Sequence, residues 1–394
     1  MTLKLKILKN KQDTFCPNPF TQLQIGGVPS KCGPCPYIHN TWNLNGTIKE
    51  KWLSNDLTEF RRKKLNGERD PICINCYREE DAGKLSLRQR KLNWQKGSDP
   101  TGQKLKENIF SKFIASKTWE KFPRLITIDP GNTCNLACVM CSGYGSSNWN
   151  SLLEKMPIVA GKPVLKNWSI SDELYREIID NSEYVQKIEL FGGEPFYDKR
   201  VKYLLINKLI EKGTSKHITL YFNTNGTLYN KDLIQELESN FKKIEIRVSI
   251  DGIWDQFEYI RYGAKFTEVI ENTKKYSKMK NGDVEIICTV TPYNFLYLEE
   301  YDQFFAEHNW PVFYNLTKFP NEMLLFNIPE EVKPINLAKK FADIQKYINN
   351  KTCDLNAWYK FIRYTRLIDK HRKLSVKTVF PRFYELVKTH GFED

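Results

Sequence analysis

The stretch Gly131-Asn132-Thr133-Cys134-Asn135-Leu136-Ala137-Cys138-Val139-Met140-Cys141, directly after the apolar run Leu125-Ile126-Thr127-Ile128-Asp129, decides the reading of this chain. Its cysteines, Cys134, Cys138 and Cys141, share one short loop behind a strand-like segment. Three thiolates in such a loop can hold three irons of a [4Fe–4S] cube, whereas most protein-bound cubes are fully ligated by four cysteines. The fourth iron is then open for chemistry. A tetrahedral zinc site would need another ligand close by; no fourth cysteine follows, and His39 and His217 are distant in sequence.

Outward from this loop the periodicity repeats. Strand-like segments recur at residues 125–129, 187–191, 218–222, 244–250 and 284–290, each separated by a helix-length amphipathic stretch. Strands alternating with helices predict an α/β fold with a parallel sheet and right-handed crossovers. The number of units suits a partial (β/α)6 TIM-like barrel, in which chemistry sits where strands end. Polar motifs fall at those ends. The cysteine loop follows the first strand, Gly192-Gly193-Glu194-Pro195 the second, Asn223-Thr224-Asn225-Gly226-Thr227 the third and Ser249-Ile250-Asp251-Gly252 the fourth.

Four regions are expected: a cysteine-bearing N-terminal domain over 1–98, a polar linker over 99–119, the barrel over 120–328, and a helical extension over 329–394. The first is loop-rich, punctuated by proline and glycine, with short strand-like pieces such as Leu23-Gln24-Ile25 and little core of its own. A bound metal would supply its missing cross-links. Residues 57–66 read as a helix that Gly67 ends. The extension reads as helical, basic and aromatic, and no chemistry is visible in it.

The chain has 394 residues and 10 cysteines, which cluster as Cys16, Cys32 and Cys35, then Cys73 and Cys76, then the central three. Clustering favours metal over disulfides, and Cys288 and Cys353 stand alone as structural thiols. The first residues, broken by lysines, form no secretory leader, and no run approaches membrane-spanning length, so a cytoplasmic protein is expected. The formal net charge of +13 permits nucleic acid or an acidic peptide as partner, but the lysines are spread along the chain.

Taken together, Cys134, Cys138 and Cys141 with Gly192-Gly193-Glu194-Pro195 resemble the radical S-adenosylmethionine (SAM) superfamily, over about residues 120–300. The resemblance implies that Gly192, Gly193 and Glu194 meet the methionyl part of SAM, Glu194 accepting from its ammonium. It implies ribose and carboxylate contacts from Asn225 and Ser249. Arg261 is similar to an arginine placed near the SAM carboxylate, where its fork pairs bidentately. Met140 stands where an aromatic often precedes the third cysteine, and sulfur packing replaces the stack. A reduced cluster would then cleave SAM to a 5′-deoxyadenosyl radical that takes hydrogen from a substrate, with flavodoxin or ferredoxin as reductant.

The segment Cys16-Pro17-Asn18-Pro19-Phe20, with Gly27, Cys32, Trp52, Arg61, Gly67, Cys73, Cys76, Glu80, Gly83, Ser86 and Arg88, resembles a twitch or half-SPASM domain, which normally follows the barrel and here precedes it. That resemblance implies an auxiliary [4Fe–4S] cluster, with four-cysteine zinc as the alternative. Five thiols compete for four positions. Cys16, Cys32, Cys73 and Cys76 are the expected set, with Cys35 as alternate. Peptide modification is the expected activity by resemblance; radical modification of RNA or a nucleotide, or a non-catalytic iron–sulfur or zinc binding protein, are the other readings.

Overall fold

A computed structural model describes residues 14–26, 31–38, 42–81, 85–95, 119–150, 167–317, 319–333, 336–349 and 352–392. Gly27, His39, Gly83 and the linker residues 99–118 fall outside them. The architecture is α/β with a mostly parallel sheet, as expected from the alternation. Contacts group the chain into two compact units.

The first unit holds residues 1–130, 169–190 and 200–220. Its strands are β1 (Gln22–Ile25), β2 (Lys31–Gly33), β3 (Trp42–Asn43), β4 (Leu125–Ile128) and β5 (Lys187–Leu190), in the order β3-β2-β1-β4-β5. β1 runs parallel to β4 with Gln22 beside Leu125, and β4 runs parallel to β5, while β2 and β3 are antiparallel additions. The N-terminal cysteine-bearing segment therefore shares a sheet with the first strand of the alternating region. β1 and β4 are buried along their whole length, which suits inner strands of such a sheet. Some of the polar side chains among them are linked across strands: Gln22 donates to Thr127 at 3.0 Å, and Thr127 donates to Glu189 at 2.9 Å.

This unit also has more core than its proline-rich sequence suggested. Phe15, Phe20, Leu65 and Leu92 form a buried cluster with half-buried Trp119 packed on it. Arg61, fully buried, stacks 4.1 Å from the Trp52 ring and donates to the carbonyls of Pro19 and Trp52. Aromatic residues far apart in sequence supply what local periodicity could not show. The expected helix is present as Asn55–Asn66, ended by Gly67 in the left-handed conformation at φ 76°.

The second unit, residues 131–168, 191–199 and 221–394, takes in the end of β6 (Thr219–Thr224), then β7 (Lys243–Ser249), β8 (Gly282–Val290) and β9 (Val312–Leu316), in that order. β7, β8 and β9 are parallel. In β7, Ile244, Ile246 and Val248 are buried while Lys243, Glu245 and Arg247 alternate with them, and Arg247 meets Glu285, its register partner, at 2.6 Å. β9 was not anticipated, because its residues are mostly half-buried and lack the alternation that marks the others. The helix Leu355–Arg372 buries Trp358, Phe361, Tyr364, Thr365, Ile368 and Arg372 on one face. No helix among the described residues is long and apolar enough to cross a membrane.

Candidate active site

The three-cysteine loop lies in the second unit, and most of its backbone carbonyls are held. Ala137 N donates to Tyr262 O at 3.0 Å and Val139 N to Ile260 O at 2.8 Å, so the loop pairs with the segment carrying Arg261. Ser146 Oγ donates to Leu136 O at 2.5 Å, Arg372 Nη2 to Ala137 O at 2.6 Å, Trp149 Nε1 to Cys138 O at 2.7 Å, and Tyr364 hydroxyl to Val139 O at 2.6 Å. Four consecutive carbonyls are thus held by four side chains.

Glycine makes the next contact possible. Gly193 N donates to Gly131 O at 3.0 Å and Glu194 N to Thr133 O at 2.8 Å. A Cβ on Gly193 would stand 2.1 Å from Thr133 O, closer than any real contact. Gly192 adopts φ 84°, open to glycine at no steric cost. The double glycine expected to approach SAM is thus also required for the cysteine loop to lie against its neighbour.

Glu194 is 1% exposed. Its Oε1 accepts from Phe196 N at 3.1 Å and Thr224 hydroxyl at 2.8 Å, and its Oε2 from Asn225 N at 2.6 Å. Burial nevertheless pushes this carboxyl up to about 7, with the backbone bond from Asn225 the leading opposing influence. Three acceptor directions are used within the protein, which leaves one on Oε2 for an ammonium. Asn225 in turn donates to Asn135 Oδ1 at 2.8 Å, with its amide 4.0 Å from Cys134 Sγ. Ser249 is buried at the end of β7 and Met140 is half-buried in the turn before Cys141.

Arg261 already has partners within the chain. Its Nε is bonded to Asp251 Oδ2 at 2.6 Å and its Nη1 lies 3.8 Å from Cys138 Sγ. The fork is taken up by a buried carboxylate and a cluster-loop sulfur, so a bidentate grip on a SAM carboxylate is not available through Nε. Asp251, fully buried, also accepts from Thr289 N at 2.7 Å. Sequence reasoning quoted Asp251 without assigning it a role, although its place at a strand end was the available signal. Tyr364 and Arg372 were missed altogether, and the extension does carry residues of the site. Nothing local marks them, since they lie more than two hundred positions from the loop.

Among the described residues no three His, Cys, Asp or Glu side chains converge closely enough for a single metal ion. The donor set of the loop fits a cube better than an ion, because a cube binds each thiolate to a different iron. Burial pushes Cys134 and Cys141 up to about 12, with the neighbouring cysteines adding to the rise. A cationic metal centre would hold them as thiolates. All ten cysteines are free.

The N-terminal thiols lie in the first unit, and here the structure changes the expected set. Cys16, Cys35, Cys73 and Cys76 line one cavity with Tyr37, Lys64 and Arg88; Cys32 does not. Cys32 is fully buried on β2, and its electrostatic neighbours are Lys51, Asp56 and Lys31 rather than other thiols. Cys35 feels Cys16, Cys76 and Cys73. Strand alternation is the reason: within Cys32-Gly33-Pro34-Cys35, β2 commits Cys32 to its buried face and releases Cys35 into the following turn. Lys64, 1% exposed, donates to Tyr77 hydroxyl at 2.8 Å, and Arg88 donates two hydrogen bonds to the Glu80 carboxylate, at 2.8 and 2.9 Å.

No curated protein matches the chain. Among solved structures, polyhistidine-tagged anSMEcpe with bound AdoMet is similar at 20% identity and a TM-score of 0.40, over 60% of this chain and 60% of its own. SuiB from Streptococcus suis bound to precursor peptide SuiA is similar at 15% identity and a TM-score of 0.38, over 83% of this chain and 64% of its own. This chain thus spans about three fifths of the length of the structures it matches. The family model of the radical SAM superfamily matches residues 128–305, the segment that contains the cysteine loop, the Gly-Gly-Glu turn, Asn225, Ser249, Asp251 and Arg261. The chain therefore carries a radical SAM superfamily domain over residues 128–305.

Proposed function

We propose that the protein is a radical SAM enzyme that modifies a peptide. The observation that carries this reading is the three-cysteine loop bonded along its backbone to Gly193 and Glu194, inside the segment the family model matches. Held by Cys134, Cys138 and Cys141, a [4Fe–4S] cluster would supply the electron for reductive cleavage of SAM and so the radical chemistry that removes hydrogen from the substrate.

The protein's own contribution is positioning and enclosure. Cys134, Cys138 and Cys141 are the cluster ligands, held by the four carbonyl bonds described above. Met140, Gly192, Gly193, Glu194, Asn225, Ser249 and Arg261 are the proposed SAM contacts. The cost of burying Glu194 as a carboxylate falls when an ammonium arrives beside it. Asp251 fixes Arg261, whose cation stands beside Cys138. Cys16, Cys35, Cys73 and Cys76 would hold an auxiliary [4Fe–4S] cluster, with zinc as the alternative occupant. The likeness of their segment to a twitch domain is what favours a peptide over RNA as substrate.

The test is anaerobic reconstitution followed by dithionite and SAM, with 5′-deoxyadenosine measured by chromatography. Cleavage that disappears in Cys138→Ala supports the reading, and a cluster-loaded protein that cleaves no SAM overturns it. Adding peptide pools or RNA and following mass changes separates the two substrate classes.

A further inference from the structure

Arg372 ends the helix Leu355–Arg372, outside the segment that the family model matches. Its guanidinium is 6% exposed, stacks 4.1 Å from the Tyr262 ring and lies 5.5 Å from the Trp149 ring. Nη2 donates to Ala137 O, the carbonyl just before Cys138. Nε and Nη1 are buried with no hydrogen-bond partner among the described residues. No carboxylate forms an ion pair with Arg372 there either; Asp369, one turn earlier, accepts from Tyr259 hydroxyl and Val376 N and feels the Arg372 charge without touching it.

An arginine does not lose its proton in a protein, so this is a permanent buried charge. Such a charge is costly unless something answers it. The other cation beside Cys138, Arg261, is already neutralised by Asp251. Arg372 has no direct ion pair of that kind, and Asp369 answers it only from a distance. A cube held by three thiolates is net negative and gains a further negative charge on reduction, so a fixed cation nearby favours the reduced form. Burial raises the Cys138 thiol, while Arg261 and Arg372 pull the other way.

We infer that Arg372 is a positioning residue for the three-cysteine loop and supplies a positive charge, free of any direct ion pair, that favours reduction of the cluster bound there. The helix Leu355–Arg372 thereby belongs to the radical-initiating site. This inference rests on the radical SAM reading of that loop.

Three variants separate charge from scaffolding. Arg372→Gln keeps a donor for Ala137 O and removes the charge, Arg372→Lys keeps the charge, and Tyr364→Phe removes one carbonyl bond and no charge. Each full-length protein is reconstituted, and the electron-paramagnetic-resonance signal that changes on adding SAM is titrated against potential. In Arg372→Gln the reduction equilibrium is expected to fall about tenfold, which is about 59 mV for one electron, while Arg372→Lys and Tyr364→Phe stay near wild type. An unchanged potential in Arg372→Gln overturns the inference. So does equal loss of iron from Arg372→Gln and Arg372→Lys, since that is scaffolding alone. Retention of iron by Arg372→Lys and not by Arg372→Gln supports it. A wild-type protein with no SAM-responsive signal overturns the proposed function itself.

Discussion

The two thiol groups of this molecule are built in opposite ways. Cys134, Cys138 and Cys141 come from a single loop whose carbonyls are tied down by Ser146, Trp149, Tyr364 and Arg372. Cys16, Cys35, Cys73 and Cys76 come from three separated segments gathered around one cavity. Both keep largely buried cations nearby, Arg261 and Arg372 in one case, Lys64 and Arg88 in the other. A contiguous loop states its ligands in its spacing. An assembled pocket states them only once the chain is folded.

The sharpest way to break the comparison is to remove one thiol from each. Cys138→Ala takes away a ligand that nothing else in its loop can replace, and SAM cleavage is expected to drop by at least about a thousandfold, read as 5′-deoxyadenosine per hour. In the N-terminal group the choice of residue is itself the prediction. Cys35→Ala is expected to lose the auxiliary metal, whether iron or zinc, while Cys32→Ala keeps it and loses only packing on β2. Metal analysis of both proteins checks this, and loss from Cys32→Ala with retention in Cys35→Ala would restore the set read from the sequence.

This difference also explains what was legible in the sequence. The strands β4 to β8 announced themselves because apolar residues alternate or run together there, and polar motifs at their ends marked the site. The cysteine loop, Glu194 and Asn225 were found this way and Arg261 by the family resemblance, and the structure brings them together. Cys35 was ranked below Cys32 because a one-residue matter of strand facing decides between them, and spacing carries no facing. Arg372 and Tyr364 were invisible for a different reason. A helix face that buries Phe361, Ile368 and Arg372 looks like any amphipathic helix until its neighbour is known.

A second comparison concerns the ion pairs, where the expected effects are smaller. Arg261 and Asp251 meet at 2.6 Å with side chains 13% and 0% exposed, and Arg88 and Glu80 meet at 2.8 Å with 8% and 17%. Arg261→Leu strands a carboxylate with no access to water, at a cost of about 3 to 5 kcal/mol. Arg88→Leu leaves Glu80 partly wetted and still bonded to Ser86 hydroxyl, so about 1 to 3 kcal/mol is expected. Urea unfolding of the iron-free variants should rank them in that order. The reverse ranking would mean that the N-terminal pocket depends more on its charges than the radical site does.

Glu194 gives the effect whose sign turns with pH. Burial raises its carboxyl from the ordinary 4.5 to about 7 in the folded chain. Between those values the folded protein binds more protons than the unfolded one, so stability falls as pH rises through that window and is lowest above it. The shift corresponds to about 3 kcal/mol. Glu194→Gln cannot titrate, so the variant should lack this fall. It is expected to be the weaker protein at about pH 5, where its amide faces Asn225 N, and to gain on wild type toward about pH 8. Urea midpoints of the iron-free proteins across that range measure the difference. If the gap between them does not narrow with rising pH, Glu194 is ionised throughout and some cation in the folded chain already answers it, which would leave less for an incoming ammonium to gain.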